Sequence, residues 1–218
     1  MLELFGHPFS SYTWKALIAL YENDTPFSFR MIDPDHPQNT QRIQALSPQG
    51  KFPVLIDGDR VLCESSIIIE YLQRHHPGPA TLLPEDQDKA LDVRMLDRFF
   101  DNYVMTPTQH IVSDFMREPA HRDSLTVSSA HTMLQRSYDW LDTHLQHSSY
   151  ACGETFTLAD CAAAPSLFYA DWVDEIDEKY RALHRYRASL LTRPSVRRCV
   201  DDARPYRSLF PPGAPDRD

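Results

Sequence analysis

A stretch around residue 50 constrains the fold of this chain more than any other. Ser47-Pro-Gln-Gly-Lys-Phe-Pro-Val-Leu-Ile56 is a polar loop with two prolines that runs into an apolar strand, and Asp57-Gly58 follows it at once. Asp-Gly between two apolar runs is a strong signal for a β-hairpin turn. Pro53 has no N–H to donate to a sheet, so it belongs at a strand start or in a special turn, where a cis peptide is one option.

The residues that close this stretch, Glu64-Ser65-Ser66, stand directly before the apolar run Ile67-Ile-Ile. The two hydroxyls predict a helix that begins there, and the free N–H groups at a helix start favour an anion. A strand edge beside such a helix start is a place to bind a peptide-like carboxylate.

The first part of the chain alternates short apolar strands with helices. Its patterns predict strands over residues 2–5 and 27–32, a helix over 14–21 that starts near Ser11 as its hydroxyl N-cap, a polar loop over 33–39, and helices over 40–46 and 65–75. With the hairpin, the order is β-α-β-α-β-β-α, which implies one parallel pair and added antiparallel strands. We therefore expect a small α/β sheet of thioredoxin-like order.

Proline and glycine in His76-Pro-Gly-Pro-Ala80 mark a linker, and every pattern after it is helical. The expected fold is an α/β domain over residues 1–77 followed by an all-α domain over residues 86–218. A long helix over residues 86–116 should be kinked or divided at Pro107. Thr157-Leu-Ala-Asp160 predicts a capping box before an alanine-rich helix, and the last eight residues are predicted to be frayed.

Composition argues against several classes of function. The net charge of −9 disfavours nucleic acid or an anionic membrane as the main partner, and no apolar run approaches the roughly 20 residues that span a bilayer. The four cysteines form no CxxC pair and the ten histidines include no HExxH motif, so we expect no metal site. The scattered cysteines, with a start unlike a signal peptide, favour the reducing cytoplasm.

Three segments stand out in order along the chain. They are Phe9-Ser-Ser-Tyr-Thr-Trp-Lys-Ala-Leu-Ile-Ala-Leu20, residues 47–55 together with Glu64-Ser65, and Phe156-Thr-Leu-Ala-Asp160. They resemble the first helix, the cis-proline and glutathione signature, and the capping box of the cytosolic glutathione transferase family, in its serine-type theta and zeta classes. The resemblance covers nearly the whole chain and implies glutathione as co-substrate, a small electrophilic substrate, a role in detoxification and a homodimer.

The reactive form of glutathione is the thiolate. With a thiol pKa of about 8.5, only about 3% of free glutathione is in this form at pH 7. A hydroxyl at the N-terminus of a helix stabilises a thiolate by a hydrogen bond and by the helix dipole. Ser10 and Ser11 are placed to act in this way, and the family's spacing to Ile18 selects Ser10. Tyr12 is the second choice of donor, and the alternative for both serines is that they only cap the helix.

The resemblance also implies which residues bind the other parts of the glutathione molecule. It implies that the backbone of Phe52 pairs with the cysteinyl amide as an added strand, and that Glu64 and Ser65 hold the γ-glutamyl group. The other glutathione-binding residues that it implies are Phe9, Pro53, Lys51 and Gln38, the last two near the glycyl carboxylate and with Gln41 as an alternative to Gln38.

The electrophile site is expected at the domain interface, beside Ser11 and Tyr12. The residues predicted to line it are Tyr103, Thr106, Gln109 and His110, although these could equally belong to the core or to an interface.

Two functions remain open. The first is a transferase that acts by conjugation, dehalogenation or isomerisation, and the second is a non-catalytic glutathione transferase-like regulatory protein that binds a partner. The retained serine and Glu-Ser pair favour the enzyme.

Overall fold

The first part of the chain builds a four-stranded mixed sheet, in a computed structural model that describes residues 1–218. The strands are β1 (Leu2–Gly6), β2 (Phe27–Met31), β3 (Val54–Asp57) and β4 (Arg60–Leu62), in the order β2-β1-β3-β4. β1 runs parallel to β2 and antiparallel to β3, and β3 and β4 form the hairpin. This topology confirms the thioredoxin-like order predicted from the sequence.

Three helices accompany the sheet, α1 (Ser11–Glu22), α2 (Pro37–Leu46) and α3 (Ser65–His75). α1 is buried over residues 13–20 because it lies between α3 and the helices of the second part. α2 begins at Pro37, earlier than predicted, since proline suits the first turn of a helix and Asn39 Nδ2 donates to the Met31 carbonyl at 2.8 Å. Gln38 therefore lies in a helix and not in a loop.

The second part of the chain is helical. Its main elements are α4 (Gln87–Phe99), a π-helical segment (Phe100–Met105), α5 (Thr106–Phe115), α6 (Ser124–His144), α7 (Leu158–Val173), α8 (Arg181–Thr192), α9 (Pro194–Ala203) and a 3-10 segment (Arg204–Leu209). No helix or strand lies between α3 and α4, where the linker was predicted, and the exact domain boundary stays a prediction. Every helix is too short or too polar to span a bilayer.

The division predicted at Pro107 is made by the π-helical segment that precedes it. Pro107 has no N–H for the carbonyl of Tyr103, four residues earlier, and the Ser137 hydroxyl of α6 donates to that carbonyl at 2.8 Å instead. The Thr106 hydroxyl donates to the Asp101 carbonyl at 2.9 Å. These bonds let the chain continue from α4 into α5, with the segment acting as a π-bulge between them.

α7 forms the centre of the helical part. All its residues from Leu158 to Trp172 are buried, and it contacts α1, α4, α5 and α8. Its alanines, Ala162-Ala-Ala, allow the neighbouring helices to approach closely, since the distance between helix axes depends on the side chains at the contact. α7 therefore joins the helical part to α1 of the sheet part.

The capping box at the start of α7 is confirmed, and it is larger than predicted. The carboxylate of Asp160 accepts hydrogen bonds from the Thr157 N–H at 2.8 Å and the Thr157 hydroxyl at 3.0 Å. It also accepts from the Ala151 N–H at 2.8 Å and from the Tyr186 hydroxyl of α8 at 2.6 Å. One buried carboxylate thus holds α7, α8 and the loop before α7 together.

The C-terminal residues are held by ion pairs, in contrast to the frayed end that was predicted. Arg217 Nε lies 3.1 Å from Asp171 Oδ2 of α7, and Asp218 Oδ1 lies 2.7 Å from an Nη of Arg207. The two residues of each pair are far apart in the sequence, so the sequence pattern gives no indication that they will meet. These pairs fasten the end of the chain against α7.

We expect Asp160→Ala to lower the free energy of unfolding by at least about 2 kcal/mol, because the helix loses its cap and several buried donors lose their acceptor. Thr157→Ala removes the cap hydroxyl alone and should cost about 0.5–2 kcal/mol. Denaturant unfolding of both variants measures these losses. Equal stability of wild type and Asp160→Ala would show that the network does not hold the helices together.

Candidate active site

Two cavities meet at the N-terminus of α1. The polar cavity, of about 740 Å³, lies between the loop before β3, the start of α3 and the π-helical segment. The apolar cavity, of about 240 Å³, is lined by the start of α1, by α5 and α7, and by the C-terminal segment. Ser10, Tyr12 and Gln109 line both cavities, so a group held near them can face a ligand in each.

The hydroxyl of Ser10 caps α1. Its Oγ accepts a hydrogen bond from the Thr13 N–H at 3.3 Å, and its backbone is extended, as at a helix N-cap. The cap is therefore Ser10, and Ser11, the predicted cap, is the first residue of the helix. Capping uses only a lone pair of the hydroxyl oxygen, which leaves its hydrogen available for an acceptor in the cavities. Capping and donation to a thiolate are thus compatible roles.

The loop before β3 presents an unpaired stretch of backbone to the polar cavity. The Phe52–Pro53 peptide is cis, and neither the N–H nor the carbonyl of Phe52 has a hydrogen-bond partner in the protein. Lys51, beside it, is exposed at the cavity edge. An extended ligand can therefore add to this backbone as a short strand.

Glu64 stands at the N-terminus of α3 with an unusual backbone. Its φ is +67°, in the left-handed region that only glycine enters freely, and such a conformation costs on the order of 1–3 kcal/mol. Its side chain is exposed and makes no cap hydrogen bond, while Ser65 next to it is buried. A carboxylate and a helix N-terminus thus lie side by side at the cavity, suited to an ammonium and a carboxylate of one ligand.

A network of charges borders the polar cavity. The ammonium of Lys15, on α1, is 1% exposed and lies 2.5 Å from Asp97 Oδ1 and 2.8 Å from Asp101 Oδ2. It also donates to Ser66 Oγ of α3 at 2.8 Å. Arg98 Nη2 lies 2.6 Å from Asp101 Oδ2, and Arg98 and Asp101 line the cavity. The buried charges are paired, as burial requires.

This network was not predicted from the sequence. The sequence does contain one signal for the network, because Lys15 is the one charged residue in the apolar run Trp14-Lys-Ala-Leu-Ile-Ala-Leu20. A lysine on the buried face of a helix needs an anionic partner. Its partners could not be found from the sequence, since they lie on other helices.

The phenol of Tyr12 stays protonated. Burial, together with the negative charges of Asp101, Glu64 and Asp97, raises the pKa of Tyr12 to about 12, although Arg98 acts in the opposite direction. A neutral phenol can donate a hydrogen bond at neutral pH and cannot act there as a base. Tyr12 therefore remains a possible second donor in the site.

Comparison with known proteins identifies the family. The model of the glutathione S-transferase N-terminal domain matches residues 4–80, and that of the C-terminal domain matches residues 119–189. Glutathione S-transferase 1 of Dianthus caryophyllus is 30% identical over 171 residues, which cover 76% of each chain. The chain belongs to the glutathione S-transferase family.

Other relatives and structures extend this comparison. Maleylpyruvate isomerase of a Ralstonia species is 26% identical over 76% of this chain and 81% of its own. A stringent starvation protein A homolog of Coxiella burnetii is 28% identical over 77% of this chain and 75% of its own. The crystal structure of a glutathione S-transferase from Methylobacillus flagellatus with GSH bound superposes with a TM-score of 0.82 at 26% identity, covering 91% of this chain and 98% of that one.

Most residues that the glutathione transferase resemblance assigned to glutathione lie together. Those that line the polar cavity are Lys51, Phe52, Pro53, Glu64 and Ser65. Phe9 lines the apolar cavity instead. Gln38 lines neither cavity, because α2 begins at Pro37 and leaves the side chain exposed.

The four residues predicted to line the electrophile site do not lie together. Of the four predicted, Gln109 lines the apolar cavity, but Tyr103, Thr106 and His110 do not. The cavity is lined instead by residues with the spacing of one helix face, Met105, Thr108, Gln109 and Val112. Tyr103, Thr106 and His110 repeat on a different face, and Tyr103 lies in a cleft against α6. Four further residues that line this cavity, Tyr169, Leu209, Phe210 and Pro211, were not predicted from the sequence. Only the packing of α7 and the C-terminal segment around the start of α1 brings them there.

We expect Tyr12 to remain protonated up to about pH 11, since burial and nearby carboxylates disfavour the phenolate. The difference in tyrosinate absorbance between wild type and Tyr12→Phe, titrated from pH 7 to the alkaline limit of the fold, measures this. Circular dichroism at each pH serves as the control for unfolding. A tyrosinate component that appears below the usual tyrosine pKa of about 10 would contradict the buried, anion-flanked phenol.

Proposed function

We propose that this chain activates the thiol of glutathione for attack on a small electrophile, with Ser10 as the residue that stabilises the thiolate. One observation carries the proposal. The Ser10 hydroxyl caps α1 where the polar and the apolar cavities meet, and its hydrogen has no acceptor in the protein. A sulfur between the two cavities can accept this hydrogen while the electrophile lies on the apolar side.

The energies required are modest. Lowering the pKa of a thiol from about 8.5 by about 2 units takes roughly 2.7 kcal/mol of preference for the thiolate. A hydrogen bond to a charged group contributes about 1.5–3 kcal/mol. A helix N-terminus adds about 0.3–1 kcal/mol for a nearby anion. Ser10 at the start of α1 can therefore account for the activation without a general base.

The rest of glutathione fits the polar cavity part by part. The unpaired backbone of Phe52 suits the cysteinyl amide, and the Glu64 carboxylate with the N-terminus of α3 at Ser65 suits the γ-glutamyl ammonium and carboxylate. Lys51 suits the glycyl carboxylate by charge. The glutathione S-transferase with GSH bound, similar over 91% of this chain, supports glutathione as the co-substrate.

The apolar cavity suits a small electrophile. Its walls are mainly apolar and aromatic, from Phe9, Met105, Val112 and Phe210, and its volume of about 240 Å³ favours a compact molecule. Conjugation and dehalogenation fit this site, and the similarity to a maleylpyruvate isomerase supports isomerisation as a further reaction of the same thiolate. Detoxification is the broader role that these chemistries share.

A non-catalytic binding role is the second function, supported by the similarity to a stringent starvation protein A homolog. The polar cavity argues for the enzyme, because it keeps the capping serine, the unpaired Phe52 backbone and Glu64-Ser65 together. A binding module has no need of an unpaired hydroxyl between two cavities.

We also propose that the protein works as a cytoplasmic homodimer. Large apolar side chains are exposed on α3, α4, the π-helical segment and α6, namely Ile67, Leu91, Met95, Tyr103, Met133 and Trp140. The Arg94–Glu70 pair, with two hydrogen bonds of 2.8 and 2.9 Å, joins α3 to α4 within this surface. The four cysteines are unpaired, which supports a reducing compartment.

We expect Ser10→Ala to lower kcat/KM at pH 7 by one to two orders of magnitude while the Kd for glutathione changes little. The loss of about 1.5–3 kcal/mol of charged hydrogen bonding raises the pKa of the bound thiol toward its solution value. The rate should therefore recover as the pH rises toward 9. Thiolate absorbance of bound glutathione and pH–rate profiles with an aryl halide measure both effects.

Two controls separate the cap from the chemistry. Ser10→Asp keeps an N-cap acceptor but donates no proton, so it should restore the melting temperature and not the rate. Ser11→Ala removes a hydroxyl that lines the apolar cavity alone and should leave the pKa of the bound thiol unchanged. A pH–rate profile of Ser10→Ala that overlays wild type, with the shift found in Ser11→Ala or Tyr12→Phe, would move the role to that residue.

We expect Leu91→Glu combined with Met95→Glu to convert the dimer to a monomer of 25.2 kDa, because charged side chains would replace two apolar ones of the shared surface. Sedimentation at micromolar concentration measures the mass. Leu125→Glu, at a still more exposed leucine at the start of α6, is the matched control and should stay dimeric. A wild type that sediments as a monomer would contradict the homodimer.

A further inference from the structure

The segment that carries Ser10 is fixed at three successive carbonyls. The His7 carbonyl accepts from the Ser10 N–H at 3.0 Å, and the Pro8 carbonyl accepts from Trp14 Nε1 of α1. The Phe9 carbonyl accepts from the hydroxyl of Tyr169 at 3.0 Å. The first two donors belong to the sheet part of the chain, whereas the third comes from α7 of the helical part.

Tyr169 holds Phe9 with its ring as well as with its hydroxyl. The two rings meet edge to face with centroids 5.5 Å apart, and the Tyr169 ring also packs on Trp14, which anchors the Pro8 carbonyl, at 5.6 Å. Tyr169 is 5% exposed, and burial raises its pKa well above the usual tyrosine value. It is therefore a neutral donor throughout the working pH range.

The contact acts on a single peptide plane. The carbonyl of Phe9 and the N–H of Ser10 belong to the same rigid, planar group. A rotation of this plane changes φ of Ser10 and with it the direction of the Ser10 side chain. Because Tyr169 fixes the carbonyl side of the plane, it limits the directions that the hydroxyl of Ser10 can take.

The same ring borders the apolar cavity. Tyr169 and Phe9 both line that cavity with Phe210, so a molecule that enters it touches the side chain that fixes the Phe9–Ser10 peptide. The hydrogen bond spans the boundary between the sheet part and α7. The position of Ser10 is thus linked to the packing of the helical part and to the content of the electrophile cavity.

We infer that Tyr169 is a positioning residue that aims the Ser10 hydroxyl at the sulfur of glutathione, through its hydrogen bond to the Phe9 carbonyl. The inference rests on the proposed function of Ser10. It assigns to the helical part a share in thiol activation, besides its share in binding the electrophile. A misplacement of about 1 Å in a reacting group can cost on the order of 100-fold in rate, so loss of one such restraint should be measurable.

The test is Tyr169→Phe, which keeps the ring and removes the hydroxyl. We expect the pKa of glutathione bound to this variant to rise by about half a unit to one unit toward the reference value of about 8.5, read from thiolate absorbance. From a bound-thiol pKa of about 6.5, kcat at pH 7 should fall by about 1.5- to threefold, the share of thiolate lost with that shift. The Kd for glutathione should stay within about twofold, because Phe52, Glu64 and Ser65 are untouched.

Tyr138→Phe is the matched control. Tyr138 is also buried in the helical part, and its hydroxyl also donates to a backbone carbonyl, that of Asp174, at 3.1 Å, but it lines neither cavity. Both variants should lower the melting temperature to a similar extent. Only Tyr169→Phe should shift the pKa of the bound thiol, and it should produce no further shift when combined with Ser10→Ala.

The outcomes separate the inference from the proposed function. A bound-thiol pKa in Tyr169→Phe equal to that of wild type, or an equal shift in Tyr138→Phe, overturns the positioning role and leaves Ser10 as activator. A shift that persists in the Ser10→Ala background also overturns it, since the effect would not pass through Ser10. A wild type whose bound thiol titrates at the solution value overturns both proposals together.

Discussion

The arrangement of the site depends on the burial of one ammonium group. Lys15, on α1, is 1% exposed, and a charge removed from water in this way must be paired. Its carboxylate partners, Asp97 and Asp101, come from the helical part of the chain. Removing one partner of such a buried pair typically costs about 3–5 kcal/mol, because the other charge is left unpaired. The pairing therefore ties α1, and Ser10 at its N-terminus, to α4 and the π-helical segment.

The π-helical segment contributes residues to the walls of both cavities. Asp101 pairs with Lys15 and Arg98 on the polar side, and Met105, at the end of the segment, lines the apolar side. Pro107 cannot bond to the Tyr103 carbonyl, and Ser137 of α6 satisfies it. The segment thus sets which face of α5 turns toward Ser10. A regular α-helix through the same residues would present a different set of side chains.

Much of the fold could be predicted from local chemistry. The Asp57-Gly58 turn, the proline at the mouth of β3 and the Thr157-Asp160 box each act within a few residues, and the structure shows all three. The residues from Lys51 to Ser65 that were predicted for glutathione line one cavity. Their grouping could be predicted for the same reason, since they lie on one loop, its hairpin and the helix after it. Most residues of the apolar cavity were not predicted, because a π-helical turn shifted the helix face and the C-terminal segment folds back from the far end of the chain.

The sequence by itself determined the elements, the hairpin, the capping box and the chemistry available in the first helix, because each depends on backbone preferences and on neighbours a few residues away. It also determined that Ser10 stands at a helix start. Only the tertiary structure decided which carboxylates meet Lys15 and which tyrosine hydroxyl reaches the Phe9 carbonyl. The reason is physical: a buried charge or hydroxyl must find its partner in space, and the partner's position along the chain does not affect the energy of that contact.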